Sequence, residues 1–406
     1  MFSARTPPNL TLNRLTQALV ELRRAGRPII DLTESNPTRA GFQYPADLLT
    51  PLAQARGLAY EPRPFGLMEA RRAVANEYAR RGSSVSAERI VVTASTSEAY
   101  SLLFKLLADA GDEVLVPRPS YPLFDHLIRL DALVLTSYDL EYHGAWSIDV
   151  ASVEQAITSR TRALLIVNPN NPTGSFVKRD ELARLATLCA ARGIALIADE
   201  VFADYELEPG AASDGGRVLE GHEALVFSLG GLSKTVGLPQ MKLGWMAVGG
   251  PDVLVDRALE RLEVVCDTYL SVSTPVQAAV PELLERGASV RAQIRARVAA
   301  NYRRLVEESA AAPACRALRS EGGWYGVLQV PTLRPEEALA LDLLLTDGVL
   351  THPGYFFDFP RESYLVVSLL VPEAVFAAGL ERLFVRSATA TAPSVASGTS
   401  APRDRR

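Results

Sequence analysis

The sequence predicts an α/β protein: a three-layer, mostly parallel sheet with helices on both faces, accompanied by a smaller α+β domain. Two observations carry this. From about residue 66, short apolar runs (RIVVTAS, EVLVPRP, RALLIVNP, ALIADEVF, LVFSLG) alternate with helical patterns such as GLMEARRAVANEYARRG and RDELARLATLCAARG. Continuously apolar strands belong to a sheet buried on both faces, because a sheet with one wet face alternates apolar and polar residues. Secondly, uncommon polar residues stand just after these runs, where an open α/β sheet binds its ligands.

In chain order, residues 11–26 carry apolar side chains at helical spacing and end on Gly26, which predicts an N-terminal helix. DLTESNPTRAGFQYP follows and is turn chemistry throughout. Further strands are expected at ALVLTSYDL and WMAVGG, then mostly helix over 252–310, then a second αβ region over 315–386 with strands near WYGVLQV and YLVVSLL. A chain of 406 residues suits two domains. We expect a large domain over 46–285 and a small one over 286–386 that is completed by the N-terminal arm, 1–45. Residues 387–406, rich in Ala, Ser, Thr and Pro, read as a disordered tail.

Composition narrows the functional classes. Net charge is −5 and the arginines are scattered among acids, so the concentrated basic footprint of a nucleic-acid binder is missing. No apolar run reaches the ~18 residues of a membrane span, and MFSARTPPNLTLNRL places charges and prolines where a signal peptide needs an apolar segment. Cys189, Cys266 and Cys315 form neither a metal-ligand spacing nor an even disulfide set, so no metal site is expected. The expectation is a cytoplasmic globular protein.

The strand ends hold the chemistry. Ser95, Thr96 and Ser97 follow RIVVTA and open a helix, where hydroxyls and free N–H groups make an anion site; such residues are also the usual N-caps. Tyr121, between Ser120 and Pro122, suits stacking on a flat ring, or is an ordinary turn aromatic. Asn168 to Gly174 (NPNNPTG) is more than a turn requires, and an amide there can bind a ligand oxygen. Asp199 ends an apolar strand, either aimed at a ligand or serving as a cap. Ser233 and Lys234 follow LVFSLGG, with Lys242 further on. Together these give hydroxyls and cations for a phosphate, an aromatic lid, an amide, a carboxylate and a lysine. Pyridoxal phosphate requires that set, with a Schiff-base lysine and an acid on the ring nitrogen.

NPNNPTG at 168–174, DEVFADY at 199–205 and LSKTVGLP at 232–239 resemble, in order and spacing, the class I/II aminotransferases, the aspartate aminotransferase family of fold type I pyridoxal-phosphate enzymes. The resemblance runs from about residue 28 to 385. It implies that Lys234 carries the cofactor and shuttles the proton, Asp199 pairs with the ring nitrogen, Asn171 donates to the ring oxygen, and Tyr121 stacks on the ring. Ser95, Thr96, Ser233 and Lys242 would bind the phosphate, with Tyr60 reaching it across a homodimer interface. The substrates implied are a small-molecule amino donor and a 2-oxo acid acceptor, with Ser35, Arg39 and Asn171 as candidate substrate contacts. A lyase or decarboxylase acting through the same cofactor is the alternative, and a non-catalytic sensor a third reading.

The chain departs from the family pattern in three places. Lys242 replaces an arginine, exchanging a bidentate fork for a point charge, and Gly231 stands where a phosphate-binding serine is common. Phe202 replaces a tyrosine that donates to the ring oxygen, so the cofactor imine is expected to have a raised pKa that Phe202→Tyr lowers. Val366 occupies the position of the arginine that clamps the substrate carboxylate, a main positioning device. Arg39, Arg361 and His352 are the candidate replacements. The aromatic segment PGYFFDF at 353–359 either borders the substrate or packs the core.

Overall fold

The computed structural model describes residues 2–312, 314–331 and 335–389. An eight-stranded sheet is formed by β1 (Ile90–Thr93), β2 (Glu113–Arg118), β3 (Val134–Tyr142), β4 (Trp146–Ile148), β5 (Thr161–Val167), β6 (Ala195–Asp199), β7 (Val226–Gly231) and β8 (Gly244–Gly249). The order across the sheet is β1-β8-β7-β6-β5-β2-β3-β4. The five central strands β7, β6, β5, β2 and β3 are mutually parallel, and β8 runs antiparallel to both its neighbours. The strand read from WMAVGG is therefore the one antiparallel member of an otherwise parallel interior.

Alternation along each strand divides the side chains between two cores. Ala195 and Ile197 face one cluster, with Leu165 and Val167 of β5 and Phe227 and Leu229 of β7. Leu196 and Ala198 face the other, with Leu164, Ile166 and Val226. Because both faces are buried, the strands are apolar without a break, as the sequence requires. The first face is covered by α3 (Thr96–Leu107) and α5 (Asp252–Tyr269), and the second by α4 (Arg179–Arg192). Helices α1 (Arg14–Arg24) and α2 (Met68–Arg80) precede the sheet.

A single 37-residue helix, α6 (Thr274–Ala310), leads away from the sheet. Its Ala279, Val280, Leu283 and Leu284 pack with α2 and the β8 edge, whereas Val290, Ile294, Val298 and Leu305 pack with the C-terminal part of the chain. That part holds a four-stranded sheet, ordered β9 (Arg316–Ala317), β10 (Tyr325–Gln329), β12 (Tyr364–Ser368), β11 (His352–Pro353), with helices α7 (Glu336–Asp347) and α8 (Glu373–Thr389). Ile30–Asp31 pairs in parallel with Val349–Leu350 and joins the N-terminal arm to it. Helix α8 runs to Thr389, three residues into the stretch read as a tail from 387; apolar Leu380 and Leu383 hold it against the core. Residues 390–406 lie outside the described residues.

Candidate active site

A cavity of about 290 Å³ opens at the carboxyl ends of the parallel strands, lined among others by Ser35, Ser95, Thr96, Tyr121, Asn171, Asp199, Phe202, Ser233, Lys234, Lys242 and Tyr325. It therefore gathers every candidate site residue except Tyr60, Arg39 and the two other candidate clamp replacements, Arg361 and His352. Tyr60 is 79% exposed and lines a separate groove, and Arg39 is exposed and outside the lining.

Asp199 is the last residue of β6. Counting along the strand from Ala195 and Ile197 puts its side chain on the α3 face, where it is 7% exposed. There the Tyr100 hydroxyl donates to its Oδ2 at 2.7 Å and the Val201 N–H to its Oδ1 at 3.1 Å. Burial raises the carboxyl pKa, and those two donors together with Lys234 pull it back. The Val201 contact is a cap of the kind expected of a strand-end aspartate, and the residue also borders the cavity.

Lys234 sits in a one-turn helix, Leu232–Thr235, that begins where β7 ends. Its Nζ lies 4.6 Å from the centroid of Trp324 and 5.6 Å from that of Phe202. Burial pushes its pKa down to about 8, with Asp199 acting against the shift. The Tyr205 hydroxyl donates to the Lys234 carbonyl and fixes the backbone that carries the amine. Phe202, three residues earlier, packs edge-on against Trp324 at 5.2 Å, so the position that lacks a hydroxyl is filled by an aromatic contact.

The NPNNPTG loop is held in place by glycine. Gly174 has φ +72° and a Cβ there would fall 1.8 Å from Ser320 Oγ and 2.4 Å from the Gly322 carbonyl, so the loop presses directly on the C-terminal region. This seats Asn171, whose side-chain oxygen is buried without a hydrogen-bond partner among the described residues. An orphaned buried acceptor is costly unless a donor takes it up. The Tyr121 turn is tied to the C-terminal region as well: the Ser120 N–H donates to the Phe357 carbonyl at 2.9 Å.

At the phosphate end, Ser95 caps α3, accepting from the Glu98 N–H at 3.1 Å while the Glu98 carboxylate accepts from the Ala94 N–H at 2.6 Å. The Ser95 hydroxyl is thus engaged in a capping arrangement, which leaves the first N–H groups of α3 and the Thr96 and Ser97 hydroxyls for an anion. Gly244 lets β8 approach this terminus, since a Cβ there would lie 2.9 Å from the Thr96 nitrogen. Gly231 is similarly confined, its Cβ position 3.2 Å from both the Leu243 carbonyl and Gly244 Cα, so β8 would have to move for a serine there. Lys242, in the left-handed region at φ +49°, borders the same end.

The opposite wall is neutral. Val366 is fully buried, opposite Val327 and His352 in the small sheet, and its neighbours Leu365 and Val367 face the other core. Arg361 is exposed, and the described residues lining the cavity include no arginine. His352 is packed against Phe356 and Phe357, and burial pushes its pKa down to about 4, against the pull of Asp31. It is outside the lining too. PGYFFDF packs the core: Phe359 stacks on Tyr364, and Phe357 stands edge-on behind Tyr325.

Three residues at or behind the cavity escaped sequence reasoning. Tyr100, behind Asp199, lies one turn after Thr96, and helical spacing from the phosphate-binding residues could have flagged it. Tyr325 lines the cavity at the start of its strand and the buried Trp324 just before it packs near the Lys234 amine, but nothing local distinguishes a cavity-facing aromatic from a core one.

The residues fit pyridoxal phosphate: a desolvated lysine, a buried acid, an asparagine side chain, an aromatic face, and a helix N-terminus beside a cation. The family profile for "Aminotransferase class I and II" matches residues 27–383. An alanine aminotransferase of Mycobacterium tuberculosis is 27% identical over 387 residues, covering 90% of this chain and 87% of that protein. The glutamate-pyruvate aminotransferase AlaA of Escherichia coli K12 is 28% identical over 360 residues, covering 86% and 88%. The solved structure of a Thermus thermophilus aspartate aminotransferase double mutant superimposes with a TM-score of 0.81 at 26% identity, covering 95% of this chain and 99% of that one. An alanine aminotransferase from Pyrococcus furiosus shares the fold, with a TM-score of 0.86 at 23% identity, covering 96% and 100%. With this geometry and these matches, the chain belongs to the class I and II aminotransferases and is a transaminase.

Proposed function

We propose that the chain holds pyridoxal phosphate on Lys234 and moves an amino group between an amino acid and a 2-oxo acid. The observation that carries this is the desolvated Lys234 amine facing a cavity whose floor is the buried Asp199 carboxylate. When bound, the cofactor supplies an electron sink conjugated to the amino-bearing carbon. The protein's part is positioning and proton transfer. With its pKa near 8, the Lys234 amine is partly neutral at physiological pH, which suits both attack on a carbonyl and carriage of a proton at Nζ. Asp199 holds the ring-nitrogen end, Asn171 the ring oxygen, and Thr96, Ser233, Lys242 and the α3 terminus, including Ser95, the phosphate. The aminotransferase relatives lend the lyase and decarboxylase alternative no support.

Without a guanidinium, the substrate carboxylate falls to neutral donors: Ser35, the Asn171 amide and the Tyr325 hydroxyl, the last of which interacts with Ser35. Arg39 remains outside this set. A homodimer is part of the proposal. Leu58 is 91% exposed and Tyr60 79%, and Tyr269 lines the same groove as Tyr60, exposed apolar side chains that a partner would cover. Tyr60 would then serve the partner's site. The division into 46–285 and 286–386 fits the change of packing partners along α6 between Leu284 and Val290. A cytoplasmic location suits three buried, unpaired cysteines.

An absorbance spectrum of purified protein, before and after a panel of amino acids without acceptor, tests the reaction. A yellow protein that one donor bleaches, with release of the matching oxo acid, is expected. Ammonia or carbon dioxide released while the yellow colour returns would overturn transamination.

A further inference from the structure

We infer that Tyr100 is a positioning residue for the ring-nitrogen end of the site, acting through Asp199, so that one helix, α3, serves both ends of the cofactor. This rests on the cofactor reading above. The hydrogen bond is 2.7 Å long and joins two side chains that are 2% and 7% exposed, so water does not compete for it. The phenol is confined to donating: burial and the adjacent carboxylate hold its pKa well above the ordinary range. With Tyr100 on Oδ2 and the Val201 N–H on Oδ1, the carboxylate plane is fixed before any ligand arrives. The other ionisable groups near Asp199 are Glu200, Lys234 and Tyr121, and none of them donates a hydrogen bond to it among the described residues.

The helix explains why this pairing has reach. Thr96 and Tyr100 are four residues apart on α3 and share a face. The first turn presents N–H groups and hydroxyls to the phosphate, and the second turn presents the hydroxyl to Asp199. The distance between the phosphate and ring-nitrogen contacts is therefore set within one rigid element. Tyr100 itself is braced by Phe124, edge-on at 5.5 Å, and by Phe104 at 6.1 Å.

Tyr100→Phe keeps the ring and its packing and removes only the hydroxyl. The dissociation constant of pyridoxal phosphate, followed by the absorbance of the bound cofactor, is to be measured for the wild type, Tyr100→Phe, Asp199→Asn and the double variant. Loss of one hydrogen bond to a charged group predicts weakening by about 10- to 100-fold in the wild-type background. In the Asp199→Asn background the same change should cost about twofold or less, because the charge it serves is gone. Equal weakening in both backgrounds, or none in the wild-type background, overturns the inference. If the wild type itself shows no saturable binding of pyridoxal phosphate, the cofactor reading falls and takes this inference with it.

Discussion

On the wall built from the large sheet, the polar groups of the cavity stand at the end of a strand or the start of a helix, in backbone positions the fold itself dictates, except Lys242, which precedes β8. Asp199 ends β6, Lys234 follows β7, Asn171 follows β5, and Thr96 opens α3. On the wall built from the small sheet, the cavity meets Tyr325, backed by Phe357 and Val366 in a sheet of short antiparallel strands, with Ser35 from the N-terminal arm. The first wall is charged and sits where the large sheet ends; the second is neutral and is supplied by the small sheet and the N-terminal arm. Under the proposed function, cofactor handling falls to the first wall and substrate recognition to the second.

This contrast yields predictions of graded size. Lys234→Ala should lower turnover by at least about 1,000-fold, since it removes nucleophile and proton carrier together. A loss of less than about tenfold, in a steady-state assay, would mean that the charged wall is not where the chemistry resides. Tyr325→Phe removes one neutral donor from the other wall, and should raise KM for the amino donor about 3- to 10-fold with kcat nearly unchanged. A fall in kcat at constant KM would instead place Tyr325 with the chemical machinery. The smallest effect concerns the packing behind the neutral wall. His352 titrates near 4 when folded and 6.5 when unfolded, so its burial costs nothing above about pH 6.5 and costs progressively more as pH falls through 4. Urea melts of His352→Phe should show about 1 to 2 kcal/mol less loss of stability between pH 6.5 and 4 than the wild type, allowing for partial solvent screening. An unchanged acid limb would show that His352 is solvated.

The fold was legible because its strands are apolar on both faces, a pattern few other architectures produce. The charged wall was legible only in combination: an Asp or Lys directly after such a strand reads as readily as a cap or a solvated charge, and it is the order and spacing of the whole set that points to one pocket. The neutral wall was legible only in part: the resemblance offered Ser35 as a substrate contact and Val366 at the clamp position, but Tyr325 went unread. Val366, Tyr325 and Phe357 are apolar or aromatic residues in short strands and turns, and only their tertiary neighbours tell cavity from core. Ser95 was half legible, since the reading offered both an anion ligand and an N-cap, and its hydroxyl caps α3. Tyr100 lay hidden because a tyrosine inside an amphipathic helix reads as packing, and its role depends on a strand 99 residues away.

The central claim, that Lys234 carries the cofactor, is tested most directly by borohydride reduction of the protein incubated with pyridoxal phosphate, followed by peptide mass mapping. The chain has four lysines, 105, 178, 234 and 242. Lys105 and Lys178 are paired with Asp131 and Glu321, and Lys242 is exposed. The account predicts one pyridoxyl group per chain, on Lys234. Labelling confined to Lys242 or spread among the exposed lysines would contradict it.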